Sequence, residues 1–150
     1  MRGMFYEDIQ EGDVIKSAGR TITEADVMTF AGLSGDFNQL HTDEEFAEES
    51  LYQGRIAHGL LVLAITSGLA ARTGFSEGTA LALTKVDWKF RQPVYIGDTI
   101  YAEFKVKRKR KAVEGEGGFV KFLVEVKKRG GPMVQKGSWT ILMKTREENE

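Results

Sequence analysis

The run Gly59-Leu60-Leu61-Val62-Leu63-Ala64-Ile65-Thr66-Ser67-Gly68-Leu69-Ala70-Ala71, carried on through Arg72 and Thr73 to Gly74, decides how the rest of the chain must be arranged. Its apolar part, Leu60 to Ala71, is broken only by Thr66, Ser67 and Gly68. It is shorter than the about 20 residues that a bilayer helix needs. A helix that is apolar on nearly all sides has to be surrounded by other structure. The run therefore reads as a core helix opened by Gly59 and closed near Gly74.

Downstream of this helix the hydrophobic period changes to two, the mark of strands with one buried and one wet face. Val86, Trp88 and Phe90 face one way, against Lys85, Asp87, Lys89 and Arg91. Ile100, Ala102, Phe104 and Val106 alternate with Tyr101, Glu103, Lys105 and Lys107. Val120, Phe122, Val124 and Val126 alternate with Lys121, Leu123, Glu125 and Lys127, and Trp139, Ile141 and Met143 form a last apolar face. Gln92–Asp98, Glu114–Gly118 and Gly130–Pro132 are the turns between them. An antiparallel sheet needs a cover for its apolar face. The expected architecture is α+β, a curved antiparallel sheet wrapped around one central helix.

Upstream the reading is helical. Thr23 has Asp26 at N3, with Ile22 and Val27 placed as a hydrophobic staple. Gly35 is a stop for that helix. Thr42, with Glu45 at N3, is read as the cap of a short second helix running to about Ser50. Between the two helices lies a loop from Gly35 to His41. Lys144 to Glu150 reads as a charged, frayed tail.

Composition bounds the function. The chain has 150 residues, expected to form one domain, with 41% hydrophobic and 29% charged residues, which places it in the soluble globular class. A net charge of -1 gives no general attraction to nucleic acid or to an anionic membrane. The absence of cysteine excludes disulfides and thiolate zinc sites and suits a reducing cytoplasm, the expected location. Met1 to Asp13 has no apolar stretch and is not read as a secretory signal.

There are only two histidines, His41 and His58. His41 closes the run Asp36-Phe37-Asn38-Gln39-Leu40-His41. A carboxylate and an imidazole in one tight loop can share a water, one taking its proton while the other orients it. That chemistry needs no metal, and two histidines without cysteine are a thin set for a catalytic zinc.

The stretch Phe30 to His41 resembles the signature of the MaoC-like, (R)-specific enoyl-CoA hydratases, whose core reads Gly-Asp-x-Asn-Pro-x-His. Ile56-Ala57-His58-Gly59-Leu60 resembles a second signature of that family. Tyr6-Glu7-Asp8-Ile9 with Gly12-Asp13, and Pro93 to Asp98, resemble it as well. The likeness runs in order from Tyr6 to about Val106. Gln39 departs from the pattern: the family's proline would pre-shape the loop by restricting its own φ and the residue before it.

The resemblance implies the hotdog fold and the hydration of a trans-2-enoyl thioester, or the reverse, without a metal or redox cofactor. Coenzyme A enters only as part of the substrate. By this likeness Asp36 and His41 activate the water, and the Gly59 N–H occupies the oxyanion position. A helix N-terminus is physically suited to that task. Ser67 is implied to support the carboxylate, with Asn38 and His58 in supporting places. The resemblance further implies a homodimer or dimer of dimers, with the pocket near the subunit boundary. A hotdog thioesterase and a non-catalytic acyl-thioester binding subunit are the rival functions.

Structural roles are open to the same residues. Asp36 suits a turn after Gly35, and His41 can pack on Phe46 ahead of the next helix. His58 can serve as a hydrogen-bonding residue at a helix start, and Gly59 can serve close packing. Ser67 can bond back to Leu63. The basic run Lys105 to Lys111 reads either as a solvated strand end or as a phosphate contact for coenzyme A.

Overall fold

A computed structural model describes residues 2–146. After a short 3-10 turn at Tyr6–Asp8 come β1 (Val14–Lys16) and β2 (Arg20–Thr21). Helices α1 (Glu24–Ser34), α2 (Gln39–Thr42), α3 (Glu44–Glu49) and α4 (Gly59–Arg72) follow. The chain then runs through β3 (Ala80–Phe90), β4 (Thr99–Lys111), β5 (Gly118–Lys128) and β6 (Met133–Met143). The strands form one antiparallel sheet in the order β1-β4-β5-β6-β3, with β2 also paired to β4.

The alternation seen in the sequence is the alternation of the sheet. Ile100, Ala102, Phe104 and Val106 of β4 and Val120, Phe122, Val124 and Val126 of β5 are all buried. Leu61, Val62, Leu69 and Ala70 of α4 join them in one hydrophobic cluster. The sheet thus takes its cover from α4, as expected, and forms an open hotdog arrangement.

Local chemistry sets the helix ends. Thr23 accepts from the Asp26 N–H and Asp26 accepts from the Thr23 N–H, which completes a capping box. Gly35 ends α1 at φ 79°, a left-handed conformation that glycine adopts without strain. The expected cap at Thr42 is corrected. Asp43 caps α3 through the Phe46 N–H. Thr42 instead closes α2, its hydroxyl donating to the Phe37 and Asn38 carbonyls. Part of the expected tail is also fixed. Lys144 exchanges backbone bonds with Tyr6 and Thr79, and Arg146 lies 2.7 Å from Asp8. The remainder of that tail, 147–150, lies outside the described residues.

Two expectations about burial fail for one physical reason. Helix α4 is not covered all round: Leu60, Ala64, Ser67, Gly68 and Ala71 form an exposed stripe at helical spacing. In β3 only Trp88 is half-buried, while Leu81, Leu83, Val86 and Phe90 stay exposed. β3 has β6 on one side and no strand on the other. A single sheet around a single helix cannot enclose both its edge strand and the far side of the helix.

Candidate active site

The left-handed turn at Gly35 directs the chain away from α1 and into a set of local hydrogen bonds. The Asp36 N–H donates to the Ser34 hydroxyl, and the Asn38 N–H donates to the Asp36 carboxylate at 3.1 Å. The Asn38 side chain accepts from the Leu40 N–H and so caps α2. The turn is built by Asp36 and Asn38 themselves, in spite of Gln39 at the position where the family's proline would help. Asp36 remains exposed, whereas His41, which α2 turns inward, is buried.

The tautomers of both imidazoles follow from their partners. His41 Nδ1 lies 2.7 Å from the Ile56 carbonyl oxygen. A carbonyl oxygen only accepts, so Nδ1 carries a proton, which in the neutral ring leaves the lone pair on Nε2. His58 Nε2 lies 2.9 Å from the backbone carbonyl of Asp36 and must donate to it. The two rings stack with centroids 3.8 Å apart and an interplanar angle of 27°, and Phe30 packs against His58 at 4.9 Å. His58 is 3% exposed, and its Nδ1 has no partner among the described residues.

Nitrogen atoms of both histidines and a carboxylate oxygen of Asp36 lie within 4.8 Å of one another. At that spacing a molecule the size of water has room to meet the Asp36 carboxylate and a ring nitrogen of His41 together. The same three residues are a set that could hold a metal ion, with His41 Nδ1 and His58 Nε2 already engaged by backbone carbonyls.

Gly59 is the first residue of α4, and its N–H has no acceptor among the described residues. A methyl group there would fall 2.8 Å from the Phe90 ring, which would have to move to admit it, so glycine serves close packing here. The position also lines a cavity of about 500 Å³ with Tyr52, Ala57, Leu60, Phe90 and Gln135. Asp36 and His41 are not among the lining residues of that cavity. The segment Ile56–Gly59 joins the two places, holding His41 at the Ile56 carbonyl and facing the cavity at Gly59. Ser67 makes no hydrogen bond to Asp36 among the described residues. It lies on the exposed stripe of α4, and its hydroxyl donates to the Ala64 carbonyl, one residue beyond the expected Leu63.

One buried polar residue went unread in the sequence. Gln135 of β6 is 2% exposed. Its amide oxygen accepts from Trp88 Nε1 at 2.8 Å, and its amide nitrogen donates to the Gly59 carbonyl at 3.0 Å. The signal was present in the chain. Gln135 stands in the inward phase of Trp139, Ile141 and Met143, where a polar side chain needs partners to be buried.

The profile of the MaoC like domain matches residues 8–126, most of the chain. This protein belongs to the MaoC-like domain family. An (R)-specific enoyl-CoA hydratase from Rhodospirillum rubrum is 38% identical over 65% of this chain and 66% of its own length. The structure described as a monoamine oxidase regulatory protein from Archaeoglobus fulgius is 35% identical. It covers 97% of both chains with a TM-score of 0.89. A Mycobacterium tuberculosis protein with a double hotdog fold, at 17% identity and TM-score 0.85, bears on the fold alone. This MaoC-like chain spans about a third to two thirds of the length of the curated relatives at 37–38% identity. Among its described residues no helix is long and apolar enough to cross a membrane.

Proposed function

We propose that this MaoC-like protein adds water to a trans-2-enoyl thioester, with coenzyme A as the carrier, or removes it from the (R)-3-hydroxyacyl product. The observation that carries the reading is the tautomer of His41. With Nδ1–H committed to Ile56, Nε2 of the neutral ring is left as the proton acceptor, and a ring nitrogen of His41 lies within 4.8 Å of the Asp36 carboxylate. In hydration the pair takes one proton from the water as its oxygen bonds to C3. The C2–C3 double bond opens toward the thioester, and a proton from the pair is returned to C2. The enolate-like oxygen of the thioester needs a donor, and the free N–H of Gly59 at the positive end of α4 is the one supplied. Asn38 shapes the loop. His58 holds the Asp36 peptide and forms the floor under His41. Ser67 has no part in this arrangement within one chain.

We further propose a homodimer or dimer of dimers. The exposed stripe of α4, the apolar side chains of β3 and the unpaired edge of that strand are the surfaces that pairing would cover. Such a partner would also wall the space between the cavity at Gly59 and the Asp36–His41 pair.

The test is spectrophotometric, with crotonyl-CoA and longer enoyl-CoAs. The conjugated-thioester absorbance should fall without release of free thiol. Thiol release would mean a thioesterase instead, and no change with any chain length would favour a non-catalytic binding protein. Activity should also survive exhaustive chelation. Loss that zinc or magnesium restores would overturn the metal-free reading.

A further inference from the structure

The outward face of the sheet is divided in its charge. In one half the lysines have carboxylate partners. Lys127 lies 3.1 Å from Glu125 and 3.8 Å from Glu103, and Lys16 lies 3.9 Å from Glu103. The half toward the β4–β5 turn is different. Register sets Lys85 of β3 opposite Thr140 of β6, Thr140 opposite Lys121 of β5, and Lys121 opposite Arg108 of β4. Residues directly opposite share a face. Three cations and a hydroxyl thus form one row across four strands, on the side away from the buried Val120, Phe122, Trp139 and Ile141.

The neighbouring row sets Arg110 opposite Phe119, with the guanidinium 4.7 Å from the ring centroid. Together the rows wall a groove of about 280 Å³. Lys109 is directed elsewhere, donating to the Tyr6 and Ile9 carbonyls. Lys85, Arg108, Arg110 and Lys121 have no ion pair among the described residues, so their charge is uncompensated there. Like charges set directly opposite in a sheet destabilise it. Desolvation, then Arg108, Lys107 and Lys85, hold the Lys121 ammonium below the usual lysine range, and Asp87 offsets this only in part.

We propose that this groove binds an anion of the phosphate class, seated between Lys121 and Arg108 and separate from the Asp36–His41 site. A guanidinium fork, two ammonium groups and the Thr140 hydroxyl suit the several oxygens and double charge of a phosphate monoester. The anion would neutralise the repulsion that the sheet alone leaves standing. Two sources share this chemistry, free inorganic phosphate and a phosphate carried on a nucleotide. The site stands independently of the hydratase reading, because its test measures binding and not turnover.

The full chain is titrated at constant ionic strength with inorganic phosphate and, separately, with adenosine 3′,5′-bisphosphate. Binding is followed by calorimetry and by the backbone ¹H–¹⁵N shifts of residues 108, 121 and 140. Saturable one-to-one binding is expected. Lys121→Glu and Arg108→Gln should each weaken it about tenfold or more, while Lys127→Gln in the neutralised half leaves it unchanged. Tighter binding of the bisphosphate supports the site with a nucleotide source, and equal binding supports it with free phosphate. Absence of saturation with both anions, equal shifts with chloride, or an equal loss in Lys127→Gln would overturn the proposal.

Discussion

His41 shows how one hydrogen bond assigns a chemical role. The Ile56 carbonyl takes the Nδ1 proton, and everything the imidazole can do for a substrate is left to Nε2. Asp36→Asn and His41→Gln should each lower the hydration rate by about 10²- to 10⁴-fold, with circular dichroism unchanged. In the proposed mechanism the two groups address one water, so the double variant should be little worse than either single. A double variant as impaired as the product of the two would argue against a shared water. Gln135 works at the same scale but on stability. Gln135→Met leaves the half-buried Trp88 N–H without its partner and removes the side-chain bond to the Gly59 carbonyl, which keeps its place in the helical ladder. Chemical denaturation should show a loss of about 1–3 kcal/mol. An unchanged midpoint would mean that both groups find other partners.

At the scale of elements, α1 carries its start and stop in its own sequence, and the ion pair with Arg20 adds to the start. Burial pushes the Asp26 carboxyl up, but hydrogen bonds from Arg20 and Thr23 outweigh it and hold the group below the usual carboxylate range. A depressed folded-state value means that this stabilisation is present above the unfolded value. It is lost as pH falls through the folded one. The difference in melting temperature between the native chain and Asp26→Asn should therefore be full near neutrality and shrink toward pH 3. A difference that is constant with pH would sink the assignment. In contrast, α2 was read as part of the loop from Gly35 to His41, and the cap of α3 was placed one residue early, because Thr42 and Asp43 are adjacent and both can cap a helix. Only the hydroxyl contacts with Phe37 and Asn38 showed which helix each belongs to.

For the molecule as a whole, the exposed edge at β3 is the dominant unsatisfied feature. Leu83 is 54% exposed on it, and Leu60 is 60% exposed on α4. Light scattering at micromolar concentration should give at least twice the mass of one 16.7 kDa chain. Leu83→Lys should shift the population toward that single-chain mass, because edge lysines block strand pairing. A fully active native species of one-chain mass would show that no partner is needed.

The sequence by itself determined what depends on neighbours close along the chain. The two-residue period placed β4 and β5 and their buried faces, the capping box placed the start of α1, and Gly35 placed its end just ahead of Asp36. These are short-range consequences of backbone geometry, side-chain alternation and local hydrogen bonding. Tertiary structure alone decided the rest. It brought the Ile56 carbonyl to His41, laid His58 against it, carried Gln135 across to Gly59, and left β3 and one face of α4 uncovered. Each of these is a contact between residues far apart in the chain, or the lack of one. Periodicity names the face that a side chain takes, but it holds no record of what meets that face.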